Sequence, residues 1–467
     1  MPHHRGFNPE LIATMREAGP EVDERRRALL RGRHVLFVLG SYEGKRKMYQ
    51  RVRELGVRMT VLDGPGHWSA SAADLFDHTI ALNLTERETL PERAVAAIRA
   101  SGLQFDAVAT FEESAGPLFA DIASRLGLLG HPLHAIDAAR HKAITREICR
   151  DAGIPTPRFA RLRAASDLAK AAEEVGFPAV LKPGAGMSSV AVYRVNTPAE
   201  LHERYAQNLA VAWRASTPKN SNDDDTELTW AEGTEMLLEE FLDGEEFDVD
   251  CLLCEGELVY AKLIRDLPMP HMSETGAQMP PNYPADRQAE LVDLAREVLA
   301  AMGFRDGAFH IEVKYTSQGP RLIEVNARIG GGPTWELHKR VWGVDLVEQY
   351  LMVQLGIPIR PVPAPSPRVF CLTSDLPAHS TGIVTRTDFL DHLAGHPHVL
   401  AAYPRVAQGQ LVVGPDTGVP EWLGEIIVQG ESVAHAEAVM ADILATVELP
   451  IQALAKQRGA VPLSAPL

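Results

Sequence analysis

The sequence predicts an α/β protein of several domains that opens on a parallel, doubly wound sheet. Three observations carry that expectation. Apolar strand-like runs alternate with helical stretches from His34 to about Gly130, later β runs come as hairpins, and a Pro-rich stretch follows at Pro358–Arg368. A length of 467 residues allows about three domains.

Residues 9–31, rich in Glu, Arg, Ala and Leu, read as a surface helix within an N-terminal extension over 1–33. HVLFVLG, a helix over Lys47–Leu55, RMTVLD, FDAVATF and the helix AGPLFADIASRLGL then alternate, which calls for crossover connections and a Rossmann-like domain over 34–135. A central subdomain over 136–243 follows, with a loop-bearing hairpin at 182–195, and then a second subdomain over 244–357. After the linker at 358–368, short β runs and an amphipathic helix predict a small α+β subdomain over 369–467. Between two of these elements, STPKNSNDDDTEL at 216–228 has the composition of a mobile loop.

Composition excludes several classes. The net charge of −16 would repel a phosphate backbone, so no nucleic acid is expected as partner. No apolar run approaches the roughly 18 residues of a membrane span. The N-terminal residues have no apolar core of signal-peptide type, so a soluble cytoplasmic protein is expected. Cys251 and Cys254 have C-x-x-C spacing, but no second Cys/His pair completes a zinc set, and FDVDCLLCEGELVY reads as a strand turning at Glu255–Gly256. Buried thiols are expected.

VLFVLGSYEGKRKMY imitates a phosphate-binding loop. That motif needs four residues between its glycines and a Ser or Thr after the lysine. Only Ser41, Tyr42 and Glu43 separate Gly40 from Gly44, and Arg46 follows Lys45. The segment reads instead as a strand–turn–helix at the edge of a cleft.

AFHIEVKYTSQGPRLIEVNAR carries the strongest chemistry. With Tyr315 and Arg321 as first pair across the TSQGP turn, Glu312 falls opposite Glu324, and His310 opposite Asn326. Alternation puts Glu312, Glu324 and Asn326 on one face. Facing carboxylates repel unless a divalent cation lies between them, and an all-oxygen set suits magnesium. Arg328 follows two positions on and suits phosphate oxygens, while Gly330, Gly331 and Gly332 can turn N–H groups toward an anion. Lys182, at the end of AVLK before a small-residue loop, is placed to cover phosphates, and MLLEEFLDGEEF could offer an adenine edge its backbone and a ribose its carboxylate.

The ordered set LKPGAG.SS, EEFLDGEEFDVD, HIEV and IEVNARIGGG resembles the ATP-grasp superfamily of carboxylate–amine ligases over about residues 34–450. Within it, the chain is most similar to dipeptide-forming L-amino acid ligases, such as bacilysin-type enzymes and the ligase portion of carnosine synthase. The resemblance implies an ATP-grasp fold, with ATP and two Mg2+ ions (Mn2+ as a substitute) as cofactors, amino acids as substrates and a homodimer as a compatible assembly.

It also implies roles. Lys142 and Lys182 contact phosphates, and Ser188 and Ser189 lie in the covering loop. Glu239, Glu240, Phe241 and Leu242 form the adenine hinge, and Glu246 binds ribose. Glu312, Glu324 and Asn326 hold metal, and Arg328 stands beside the transferring phosphoryl group as the catalytic arginine, with Lys182. Glu274 in HMSETGAQMPP, with Arg328, Gly331 and Gly332, faces substrate; Ala277 and Gln278 stand where many dipeptide ligases have a histidine. The implied reaction forms an acyl phosphate and ADP, then an amide and phosphate. Two alternatives remain open on sequence: a biotin-carboxylase-like or purine-pathway ligase acting on another carboxylate, and an inactive ATP-binding regulatory protein.

Overall fold

The computed structural model describes residues 7, 9–185, 191–215, 235–268, 275–415 and 420–454. Two compact units result: residues 1–265 with 280–368, and residues 266–279 with 369–467.

In the first unit, β1 (His34–Val38), β2 (Arg58–Asp63), β3 (His78–Ala81) and β4 (Ala107–Ala109) form a parallel sheet in the order β3-β2-β1-β4. β1 is buried along its whole length, as expected of a strand covered on both faces. A second, antiparallel sheet has the order β5-β8-β6-β7, from β5 (Phe159–Leu162), β6 (Ala179–Pro183), β7 (Tyr193–Val195) and β8 (Met236–Glu240). Next along the chain come β9 (Glu245–Cys254), β10 (Glu257–Asp266), the short β11 (Ala277–Met279), β12 (Gly307–Thr316) and β13 (Gly319–Asn326). β13, β12, β9 and β10 pair antiparallel in that order.

Alternation sorts the residues of this third sheet. Phe247, Val249, Cys251, Ile311, Val313 and Val325 are buried in one apolar cluster with Leu291, Leu294, Val298 and Leu299 of the helix Ala285–Met302. Glu246, Asp248 and Asp250 on β9, His310, Glu312 and Lys314 on β12, and Glu324 and Asn326 on β13 alternate with them and form the opposite face.

The second unit has its own core, in which Leu372, Leu423, Ile426, Val428, Met440 and Ile443 pack together. Its strand β14 (Phe370–Pro377) pairs with β11 and with Trp422–Gly430, and the helix Val433–Leu444 belongs to the same unit. No described helix is long and apolar enough to cross a membrane.

The N-terminal segment departs from expectation. It is not one surface helix but two, Pro9–Thr14 and Pro20–Leu30, separated by a turn that ends in Gly19. Ile12, Met15, Arg26 and Leu30 are buried. An arginine tolerates this because its fork is filled: Arg26 donates to the carbonyls of Met15, Glu17 and Pro358 and pairs with Asp23. Composition alone cannot reveal such a partner set.

All four cysteines are buried, as expected. Glu255 and Gly256, both at positive φ, make the tight turn after Cys254. Burial raises the thiol of Cys251 far above its ordinary value and that of Cys254 to about 11. The thiolate is the reactive form, so the native protein is expected to titrate with almost no thiol toward Ellman's reagent, and all four after denaturation. Rapid reaction of a native thiol would contradict this burial.

Candidate active site

The polar face of the third sheet is built by register. Lys314 pairs with Glu246, Glu312 with Asp248 and His310 with Asp250 across β12 and β9. On the other side, Glu312 lies opposite Glu324 and His310 opposite Asn326. The expected first pair of the hairpin is corrected: Tyr315 meets Pro320, not Arg321. A bulge then takes up one residue, Ile323, and restores the expected pairs. The Ile323 carbonyl accepts from Arg146 Nη2 at 2.6 Å, so the bulged peptide is tied to the helix Lys142–Asp151.

That helix brings the first lysine. The Lys142 N–H donates to the Gly184 carbonyl, just past β6, at 3.0 Å, and its Nζ reaches Glu324 Oε1 at 2.8 Å. Burial opposes charge on Lys142, but Glu324, Glu113 and Glu312 outweigh it and raise its pKa, keeping it cationic. Lys182 ends β6 with its Nζ 2.6 Å from Glu239. Burial, and then the charges of Arg146 and Lys142, lower the Lys182 pKa despite that partner.

Glu239 is turned inward. Its carboxylate lies between Arg146 (2.7 Å) and Lys182 (2.6 Å). Burial alone would raise its pKa, yet the two cations bring it down to about 2. The Glu239 side chain is thus committed to this ion pair, and its backbone lies in β8 between Phe159 of β5 and Val180 of β6. Glu240 is paired to Arg158 at 2.7 Å, and the Phe241 ring lies 4.2 Å from the Arg194 guanidinium. Glu246 stands 3.4 Å from Lys314 Nζ. Leu242 follows in the turn between β8 and β9. There Gly244 (φ +87°) packs so tightly on the Tyr315 carbonyl that a Cβ would lie 2.0 Å from it.

Asn326 and Arg328 are held by a residue that the sequence did not single out. Arg328 donates through Nε and Nη2 to Glu113 at 3.1 and 2.8 Å. Burial works against the guanidinium charge, and Glu113, Glu112 and Glu312 more than offset it, raising its pKa. With its amide turned to satisfy both ends, Asn326 Nδ2 donates to both Glu113 oxygens at 2.7 and 3.0 Å. The amide oxygen then takes the place 3.3 Å from Glu312 Oε1. Two bare oxygens would repel at that spacing, whereas two ligands of one small hard cation are found about 3 Å apart in octahedral geometry at 2.0–2.1 Å. Among the described residues no three His, Cys, Asp or Glu are grouped for a metal, so a cation at Glu312 and Glu324 would take its third protein oxygen from the Asn326 amide. The oxygen set fits Mg2+.

Glu113 and Glu112 come from FEESAGP, just past β4. An acidic pair at the carboxyl end of a parallel strand was the available signal, because open α/β sheets bind ligands there. Glu112 accepts from Ser41 at 2.6 Å and from Ser114 at 2.8 Å. Lys45 was likewise absent from the expected set and is buried, with Nζ 3.4 Å from the Gly330 carbonyl. Gly330, Gly331 and Gly332 connect β13 to the helix Thr334–Trp342, and a Cβ at Gly330 would meet His310 and Thr334. Ser188, Ser189 and Glu274 lie outside the described residues, as does the 216–228 stretch.

Residues 175–335 match the family described as ATP-grasp domain, and residues 49–130 the ATP-grasp N-terminal domain. Carnosine synthase 1 of Gallus gallus is 33% identical over 362 residues, which are 74% of this chain and 38% of that protein. Alanine–anticapsin ligase of Bacillus subtilis is 25% identical over 261 residues, 53% of each chain. The chain spans about two fifths of the length of the carnosine synthases that it matches. The crystal structure of an L-amino acid ligase from Bacillus licheniformis superposes with a TM-score of 0.73 at 22% identity, over 90% of this chain and 99% of that one.

Proposed function

This chain belongs to the ATP-grasp superfamily, and we propose on that premise that it is an ATP-dependent carboxylate–amine ligase joining two amino acids. The observation that supports it best is the pairing of Glu312 with Glu324 on a face shared with Asn326, with Lys142 Nζ 2.8 Å from Glu324. Facing carboxylates, an amide oxygen, buried lysines and a half-buried arginine are the equipment of phosphoryl transfer, which depends on positioning and charge.

In this reading, a substrate carboxylate oxygen attacks the γ-phosphorus of ATP. The bond to the bridging oxygen breaks, ADP leaves and an acyl phosphate forms. The amine of the second substrate then attacks the acyl carbon, phosphate departs with the C–O electron pair, and the nitrogen gives up a proton. Lys142 and Lys182 face the phosphate charge, and Arg328 the transferring group. Glu113, beside Arg328, offers negative charge to the α-ammonium of the activated amino acid. Glu312, Glu324 and Asn326 would hold Mg2+, which would supply positive charge to offset that of the phosphates. Glu240 to Leu242 and Glu246 serve adenine and ribose.

The test is ADP release with MgATP against single and paired L-amino acids, with mass spectrometry of the products. The reading predicts release that depends on particular amino acids and a product at the mass of their condensation. Release stimulated instead by bicarbonate or another acid, with no condensed amino acids, would overturn it.

A further inference from the structure

The turn that imitates a phosphate loop ends in a lysine that the proposed mechanism leaves unused. Lys45 is 4% exposed, and its only hydrogen-bond partner among the described residues is the Gly330 carbonyl at 3.4 Å. An ammonium has three donors, and burying it with one long bond leaves two without a hydrogen-bond partner, the Tyr42 ring standing 6.0 Å from Nζ. The carboxylates that bear on it, Glu112 and Glu113, are engaged elsewhere: Glu112 with Ser41 and Ser114, Glu113 with Arg328. No described carboxylate lies within ion-pair distance of Lys45 Nζ.

The turn is built to hold this side chain in place. Leu39 and Ser41, neither of them glycine, adopt φ of 58° and 57°. Such backbone persists only where its surroundings fix it, and it gathers at functional sites. Gly40 N–H donates to Asp63 at 2.7 Å, Trp68 Nε1 to the Ser41 carbonyl at 2.6 Å, and the Ser41 hydroxyl to Glu112.

Position sets the role. Lys45 feels Arg328, Glu112 and Glu113, whereas Lys142 feels Glu324, Glu113 and Glu312. Lys45 Nζ reaches the Gly330 carbonyl, two residues past Arg328, whereas Lys142 Nζ reaches Glu324 and Lys182 Nζ reaches Glu239. We propose that Lys45, together with the Gly330–Gly332 turn, binds a second substrate carboxylate, one that is not phosphorylated. This rests on the ligase reading and deepens it, because it makes one of the two substrates carry a further acidic group. Burial and the nearby Arg328 lower the Lys45 pKa to about 7, consistent with a cation that has no anion beside it until substrate arrives.

The experiment compares the wild type with Lys45→Met, using amino acids as free acids and as their amides. Each pair is offered first on the amine side, then as the activated partner with an acidic or amidated side chain (glutamate against glutamine). If the carboxylate is on the amine substrate, Lys45→Met raises the KM of the acid, but not of the amide, about tenfold or more. If it is on the side chain of the activated partner, the same collapse appears for glutamate against glutamine. In either case the KM for ATP stays within twofold. An unchanged acid-over-amide ratio in both arms overturns the proposal.

Thermal-shift binding of the same acid and amide pairs needs no turnover. If no amino acid supports ADP release, the ligase reading fails, and Lys45 is judged on binding alone. An acid-over-amide stabilisation lost in Lys45→Met supports its role, and equal shifts for acid and amide in both proteins refute it.

Discussion

Glu324→Gln lowers the rate of amino-acid-dependent ADP release by about 10²–10³-fold, the usual loss when one preorganised electrostatic group leaves a reaction centre. The same change raises the Mg2+ concentration for half-maximal rate at least about tenfold. Both effects follow from the register. Glu324 faces Glu312 across the ladder, and its oxygen also lies 2.8 Å from Lys142 Nζ. Gln keeps the shape and one carbonyl oxygen but removes the charge that a divalent cation and a lysine share.

Stability separates this from misfolding. Two facing carboxylates cost a sheet about 0.2–1 kcal/mol, and Gln removes that repulsion. Against it stands the lost partner of Lys142, which keeps Glu113 and Glu312 nearby. The two terms oppose each other, so the thermal midpoint is expected to move little while turnover falls. Coupled ADP release against MgCl2, read beside a circular dichroism melt, checks both. Turnover within twofold of the wild type would remove Glu324 from the site.

The hairpin explains what sequence could and could not tell. Alternation and turn position sufficed to put Glu312 opposite Glu324, but through a first pair that was wrong by one residue. The bulge at Ile323 compensated, and no local pattern announces a bulge whose carbonyl is captured by Arg146 from a distant helix. The α/β alternation gave the parallel sheet because covered strands are written as continuous apolar runs.

Loop residues were the loss. Glu112 and Glu113 lie in a connection, where spacing has no fixed meaning, and their importance appears only once Arg328 arrives beside them. Lys45 was passed over for a sound reason: the segment fails the phosphate-loop pattern. Its side chain nevertheless reaches Gly330, a contact across 285 residues of sequence. Residues 9–31 were read as a surface helix, yet Arg26 within them is 0% exposed, and Arg146 is buried as completely.

Arg146 leads to the second large effect, Glu239→Ala. The carboxylate of Glu239 is the common partner of Arg146 and Lys182, all three buried. Removing one member of a buried pair typically costs about 3–5 kcal/mol, because the remaining charge keeps its desolvation penalty. Here two cations are stranded. Arg146 keeps its bond to the Ile323 carbonyl, but its Nη1 already has no partner among the described residues.

The loss has a pH signature with a definite sign. Glu239 is lowered from 4.5 to about 2. A depressed carboxylate contributes stability that is complete above its unfolded pKa and fades as pH falls through the folded one. That shift corresponds to about 3 kcal/mol at neutral pH. The stability difference between wild type and Glu239→Ala should therefore be constant from pH 7 to about 5. It should then shrink by about 2 kcal/mol on going to pH 3. Urea unfolding of both proteins at pH 7, 5, 4 and 3 reads this as a double difference, from which carboxylates common to both cancel. A gap that stays the same down to pH 3 would mean that Glu239 contributes to stability through packing and not through its charge. Lys182 is the member of this triad expected to touch phosphate, so the same variant should also raise the KM for ATP, linking the buried ion pair to the chemistry above it.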